Sequence, residues 1–493
     1  MDPYVQKLLL AVDFHYKDND YEKAKSLYLE IIKEYPEKID AYYYLGMLEA
    51  ESDNLNIAID WMQKLIDIAP FDQAYNALAK FYLIKRDLVR SLKYLKLALI
   101  YNSKDEEAKD ILNKVFPKES RFIKSHNLSS KNEFIMSKDH PDCKYKMMYP
   151  ADTIERKSPK YVESILTPKQ KKLFEYALST TKTAKWNEAF VLEVKNGRAY
   201  IDQGSQTYII TQDDKYLKDM LEPECRPLNL DHIPPEIQIA DKILVLSSSF
   251  GGNFFHWATW AIPRIYMIEK AGYNLQEFDK IFINYVGFKF QKNLIKILGI
   301  PMEKVIGTMP KGGLFKAKTL VTASLSSYLN TPCYITESFR AKFLKEEYYS
   351  EDRPKIIYLS RNKGSRRILN EQELINYLNN MGFQVVYPES MSYEEQIAAF
   401  ANAEVILTQH GAGLTNLCFC KPSTKVIEIF NENFENFNGQ VPIHFFGICS
   451  NLNLDHYIMF GEPISQNNLD MTIDLKKLEK TIDLILSDNY ISV

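Results

Sequence analysis

Hydrophobic and polar positions divide the chain into two regimes. Up to about residue 115, apolar residues recur at helical spacing in paired amphipathic stretches that repeat along the chain. Tyr21, Leu55 and Leu88 share one column; Ala24, Ala58 and Ser91 share another. Gly46 matches Ala79, Ala41-Tyr42 matches Ala74-Tyr75, and Pro36 matches Pro70, with offsets of 34 and then 33 residues. Each unit therefore reads as two helices with a small residue at their crossing. Residues 105–115 supply a solvating end helix, and 117–150 are polar and unpatterned, which reads as a linker.

Beyond the linker, short apolar runs of strand length alternate with longer helical ones. Residues 167–179 predict a helix, and 189–210 hold β-branched and aromatic runs broken by Asn196-Gly197 and Gln203-Gly204. Asn-Gly between such runs predicts a hairpin. Strands are expected at 242–246, 280–284 and 319–322, and helices at 290–298 and 335–348. A helix is also expected after Asn253, which reads as its N-cap, with Pro263 kinking or interrupting it. From 355 the pattern sharpens. Strands at 355–359, 383–387 and 405–407 are separated by helices that open at Asn370/Glu373 and Ser392/Glu395, both capping-box spacings. The third strand runs into His410-Gly411-Ala412-Gly413, a short helix over 414–419 ended by Lys421-Pro422, and a further strand over 426–430. This is a βαβαβ unit of the doubly wound kind, in an α/β chain with mainly parallel sheets.

Composition removes several function classes. The 493 residues carry 61 Lys and Arg against 64 Asp and Glu, a formal charge of −3, so no global nucleic-acid footprint is present. No apolar run approaches the ~20 residues of a membrane helix. The six cysteines are scattered; Cys418-x-Cys420 is too close for a structural disulfide and has no second pair nearby for zinc. With an N-terminus unlike a signal peptide, they point to reduced thiols and a cytoplasmic location. The repeats resemble the tetratricopeptide repeat, which implies a surface for a protein partner, an acceptor chain or a second copy.

Candidate chemistry gathers at the carboxyl ends of the parallel strands, where open α/β sheets bind ligands. The loop after 355–359 carries Arg361, Lys363, Arg366 and Arg367. The 410–413 turn leads a strand into a helix N-terminus. Both should lie on one rim, where guanidinium forks and a positive helix end can hold a diphosphate and neutralise charge building on it. Gly411 and Gly413 serve backbone conformation first, with ligand approach as the consequence. His410 either bonds a phosphate or substrate, or braces the turn. Glu428 either accepts from ribose hydroxyls or is simply paired. His256 is either a core histidine beside Trp257 or faces the cleft, and Arg264 either reaches the cleft or caps a neighbour.

NFFHWATWAIPR (253–264), LSRNKGSRRILN (359–370) and TQHGAGLTNLCF (408–419) together resemble glycosyltransferase family 61. The resemblance implies a GT-B fold, two facing Rossmann-like halves. With the repeats in front, the expected layout is 1–115 repeat stack, 116–160 linker, 161–350 acceptor-side half and 351–493 donor-side half. It implies an inverting, metal-independent transfer of a sugar from a nucleotide sugar, usually UDP-linked, to a glycan acceptor in surface polysaccharide assembly, with no separate cofactor. By position, Arg361, Arg366, Arg367, His410, Gly411, Ala412, Gly413, Leu414, Thr415, Asn416 and Glu428 would bind the donor. Relatives commonly read HWxxD; here Trp260 stands at the aspartate's place. His256 is the expected substitute base, with Arg366 as the second catalytic group. Trp260 leaves open a non-catalytic interaction protein. The repeats leave open a protein O-glycosyltransferase, similar to nucleocytoplasmic O-GlcNAc transferases.

Overall fold

The computed structural model describes residues 2–119, 123–124, 133–221, 234–249, 251–324, 331–361, 366–433, 444–465 and 468–487. Among them no helix is long and apolar enough to cross a membrane. The chain condenses into two units, one of 1–146, 191–252 and 272–324, the other of 147–190, 253–271 and 325–493.

The first unit opens with a stack of helices: Pro3–Tyr16, Tyr21–Glu34, Asp40–Glu51, Leu55–Ile68, Asp72–Ile84, Leu88–Tyr101 and Glu106–Val115. Asp20, Asp87 and Asp105 cap their helices by accepting the backbone N–H three residues on. The small-residue column is fully buried: Ala24, Ala58 and Ser91 are each 0% exposed. A Cβ on Gly46 would lie 2.9 Å from Met62 Cε, so the second pair crosses too closely for a larger residue. The repeat extends into the backbone itself. Asn19, Asp53 and Arg86, again 34 and 33 apart, turn each pair with φ of 53°, 60° and 60°.

This stack is fastened to the sheet of its own unit. Gly287 and Gly307 follow the strands Lys280–Phe282 and Val305–Ile306. A Cβ on Gly287 would fall 1.6 Å from the Ile68 carbonyl oxygen, and one on Gly307 would fall 3.1 Å from Pro70 Cγ. The Gly307 N–H donates to the Tyr101 hydroxyl at 2.7 Å, Lys311 pairs with Asp72 at 2.6 Å, and Lys292 donates to the Asp67 carbonyl.

The sheet is mixed, not mainly parallel. Val305–Ile306, Lys280–Phe282, Glu236–Val245 and Gly313–Ala323 run parallel in that order. Arg198–Ile201, Thr207–Ile210 and Lys215–Leu217 then continue it antiparallel. Asn196-Gly197 does not close the expected hairpin. Ala189–Lys195 and Arg198–Ile201 both pair with Gly313–Ala323, along different parts of it, so the dipeptide is a step between two segments on one neighbour. The hairpin lies at 202–206 instead, where Ser205 has φ 65°. The stretch read as a linker also contains sheet: Cys143–Tyr149 pairs with Ala189–Lys195. Pairing with a strand so distant leaves no local pattern.

The second unit holds a six-stranded sheet in the order Gln384–Val386, Ile356–Leu359, Val405–Gln409, Lys425–Asn431, Asp455–Ser465, Asn468–Thr472, parallel except for the last. The βαβαβ reading is present, with helices Glu371–Asn380 and Tyr393–Asn402 where the capping boxes predict them. One face buries Tyr358, Leu407, Ile427, Tyr457 and Met459 with Leu374, Leu378, Leu478 and Ile482. By alternation the other face carries Thr408 and His410, Glu428 and Phe430, and His456, Ile458 and Phe460. Phe174 packs there on Phe430, Ile458 and Phe460.

The helix Phe254–Lys270 belongs to this unit, although its place in the sequence assigns it to the preceding half. It runs unbroken through Pro263. Trp257, Ala258, Trp260, Ala261, Ile262 and Ile265 are all buried, and that packing outweighs the ~3 kcal/mol of an interior proline.

Candidate active site

The site is built from the carboxyl rim of the second sheet. His410 follows the strand Val405–Gln409, and its N–H donates to the Ile429 carbonyl at 2.8 Å. Strand register places Glu428 beside Thr408 and Ile458, within reach of histidines on both sides. His410 Nδ1 donates to Glu428 Oε1 at 2.5 Å, and His456 Nε2 donates to Oε2 at 2.9 Å. Glu428 is 0% exposed. Burial pushes its carboxyl up, but the two imidazoles more than offset this and hold it at about 2. Burial lowers His410, and the bond to Glu428 only partly restores it, with Arg366 and Arg361 lowering it further. The carboxylate accepts an N–H from each of the two imidazoles. Glu428 is therefore no strand-end acid waiting for a ribose; both its oxygens are committed inside the sheet layer.

Further histidines converge on the same place. The His444 ring lies 6.4 Å from that of His410 and stacks on Phe255 at 5.4 Å. Burial lowers His444 to about 3, and the fields of His410 and His256 lower it too. His256 sits in the first turn of Phe254–Lys270, capped by Asn253, whose side chain accepts the Phe255 N–H at 2.8 Å. Its ring is 5.2 Å from that of Trp260. His256 and His444 are both half-buried, whereas His410 is buried. Trp260 is 5% exposed and Arg264 3%.

The arginine loop meets the glycine turn. A Cβ on Gly411 would lie 2.3 Å from Arg361 Nη1, so the guanidinium rests directly on the glycine. Gly411 has φ 177°, extended backbone open to any residue, and it is a glycine for space rather than for conformation. Nothing lies within 4 Å of a Cβ on Gly413, which is exposed beside half-buried Ala412. Arg366, at φ 68°, is lowered to about 10 by burial, with Arg361 lowering and Glu428 raising it. Burial also lowers Arg361. Two partly desolvated guanidinium groups thus share the rim, with Arg366 in the field of the buried Glu428 carboxylate.

Other residues expected to touch the donor are occupied differently. Arg367 holds Asp470 through Nε at 3.1 Å, Nη2 at 2.7 Å and its backbone N–H at 2.8 Å. Its fork braces the loop against the edge strand Asn468–Thr472. Leu414, Thr415 and Asn416 lie inside the segment Ala412–Phe419 and are at most 1% exposed. Thr415 Oγ1 donates to the Ala412 carbonyl at 2.6 Å and Asn416 Nδ2 to Gln396 Oε1 at 3.0 Å, so they frame the turn. Lys363 lies outside the described residues. His456, His444 and Asp470 carry no motif; only the strand register brings His456 to Glu428.

Residues 254–427 match the family model described as Glycosyltransferase 61. That segment belongs to glycosyltransferase 61. The chain is also 35% identical over 80 residues to an EGF domain-specific O-linked N-acetylglucosamine transferase of Drosophila melanogaster, covering 16% of this chain and 15% of that protein. It is 37% identical over 78 residues to a beta-1,2-xylosyltransferase of Oryza sativa subsp. japonica, covering 16% and 14%. The Gallus gallus EGF domain-specific transferase matches at 31% over 122 residues, covering 21% and 23%. Each match spans less than a quarter of the relative's length. The glycosyltransferase 61 segment includes His256, Trp260, Arg361, Arg366 and the whole 410–416 turn. His444 and His456 fall after its end.

Proposed function

We propose that the protein is a glycosyltransferase that binds a nucleoside-diphosphate sugar, UDP-linked, against Arg361, Arg366 and the 411–413 turn. The observation that carries this is the contact of Arg361 with Gly411, which puts a cationic fork and the start of a short helix at one point of the rim. Two guanidinium groups can take the diphosphate in charge-assisted pairs and neutralise the charge that develops as the bond from the sugar's anomeric carbon to the diphosphate oxygen breaks. A GT-B arrangement would give the acceptor a second lobe.

Inversion in one displacement needs a base for the acceptor hydroxyl. His256 takes this role in our reading, being half-buried and one turn from Trp260, where relatives have an aspartate. The Glu428 chain fixes His410 in the tautomer that donates from Nδ1, which sets the turn holding the phosphates. Glu428 and His456 are positioning residues. Charge compensation by arginines is the basis for metal-independent transfer.

A glycan acceptor, in surface polysaccharide assembly within the cytoplasm, is the first reading. A polypeptide acceptor is the second, favoured by two features: relatives named for O-linked transfer to EGF domains, and the helical repeats at the N-terminal end. Titration calorimetry with UDP, and a screen of nucleotide sugars with mass detection of product on glycan and peptide acceptors, test these readings. Binding and turnover should both be lost in Arg366→Ala. Absence of binding by every nucleoside diphosphate overturns the proposal.

A further inference from the structure

Arg156 is a buried cation with no acid paired to it among the described residues. It follows the strand Asp152–Glu155 in the second unit and is 4% exposed. Its Nε and Nη2 have no hydrogen-bond partner among the described residues. Burial alone lowers it to about 10, with no carboxylate acting on it. The Phe446 ring lies 5.8 Å from its guanidinium carbon. A guanidinium desolvated in this way costs several kcal/mol unless something pairs with it, which is a strong constraint on any fold.

The surroundings are polar and closely fitted. A Cβ on Gly447, in the helix His444–Asn451, would lie 3.0 Å from Arg156 Nη2 and 2.9 Å from Thr331 Oγ1, so only glycine lets both groups close on the helix there. One turn on, Asn451 Nδ2 donates to the Thr331 carbonyl at 2.9 Å, which leaves Asn451 Oδ1 buried and without a partner among the described residues. Thr331 is 2% exposed and Asn451 half-buried. A fork of donors, a hydroxyl and an unused acceptor therefore surround one face of this helix. None of them is among the groups assigned to the donor diphosphate.

We infer that Arg156, Thr331 and Asn451 form a binding site for a small oxyanion that carries a hydroxyl, of which hydrogenphosphate is the simplest. The anionic oxygens take the guanidinium N–H groups and the Thr331 hydroxyl, and the protonated oxygen donates to Asn451 Oδ1. The site is independent of the nucleotide-sugar reading.

The test is thermal unfolding of the full chain in an Arg361→Ala/Arg366→Ala background, which removes both rim arginines as a second anchor for phosphate. Inorganic phosphate at ~100 times its dissociation constant should raise Tm by at least about 3 °C. Sulfate, with no proton to give at neutral pH, should bind at least about tenfold more weakly. Arg156→Met should abolish the phosphate response and, without phosphate, unfold no lower than its parent. Asn451→Asp supplies a fixed counter-charge, and should raise Tm without phosphate while losing the response; it decides the matter where Arg156→Met does not fold. No phosphate response in the parent, or an undiminished one in either variant, overturns the site. Sulfate binding as tight as phosphate overturns the role given to Asn451.

Discussion

One methyl group at Gly411 should act almost entirely through Arg361. In Gly411→Ala the new Cβ meets Arg361 Nη1 at 2.3 Å, more than 1 Å inside ordinary contact. The φ of 177° suits alanine as well as glycine, so the backbone carries no new strain. The clash is with the far end of a long side chain, and the guanidinium can yield by about 1 Å at little cost to folding. Such a displacement of a charge clamp is worth ~10²-fold in turnover. The expectation is a Tm within ~2 °C of the parent and a fall of about 10²-fold in kcat/KM for the nucleotide sugar, ~2.7 kcal/mol. The sharper assay is a double-mutant cycle. Arg361→Ala has no guanidinium to displace, so adding Gly411→Ala to it should cost less than ~0.5 kcal/mol. Equal costs in both backgrounds would refute the contact as the cause, as would a fully active Gly411→Ala.

Three further outcomes follow from the same geometry. His444 falls to about 3 in the fold from an ordinary 6.5, so the unfolded chain takes its proton first. Stability is then lost as pH drops below 6.5, by up to ~1.4 kcal/mol per unit until about pH 3; His444→Phe should flatten that slope in denaturant titrations, and an unchanged slope counts against it. Arg86 is exposed and holds φ 60° in a repeat turn, so Arg86→Gly should raise stability by ~1 kcal/mol, and a lowered Tm would contradict the strain. Gly287→Ala sets a Cβ 1.6 Å from the Ile68 carbonyl oxygen at φ 93°, and should loosen the repeats from the first sheet, seen as faster hydrogen exchange in 280–311; unaltered exchange rules this out.

Much of the second sheet was legible because its signals are local. Capping boxes at Ser392/Glu395 and short apolar strands around a glycine turn need no distant partner to be read. The rim arrangement followed from strand direction alone, which put Arg361 and Gly411 together. What escaped depends on pairing across the chain. Nothing near Glu428 announces His410 and His456 as its partners, since that trio exists only through the register of three strands. Arg367 looked equivalent to Arg361 and Arg366 until Asp470, more than a hundred residues later, claimed its fork. The helix Phe254–Lys270 was readable as a helix but not as a member of the later unit, because a segment's destination is a property of packing.

The way the repeats are fastened has a bearing on how a large acceptor would be handled. Both glycine contacts follow parallel strands of the first sheet, and at Gly287 backbone meets backbone. A flexible tether would average a captive chain over many positions and merely raise its local concentration. A clamped stack behaves instead as a jig: a molecule gripped by the repeats would arrive at one fixed offset from that sheet.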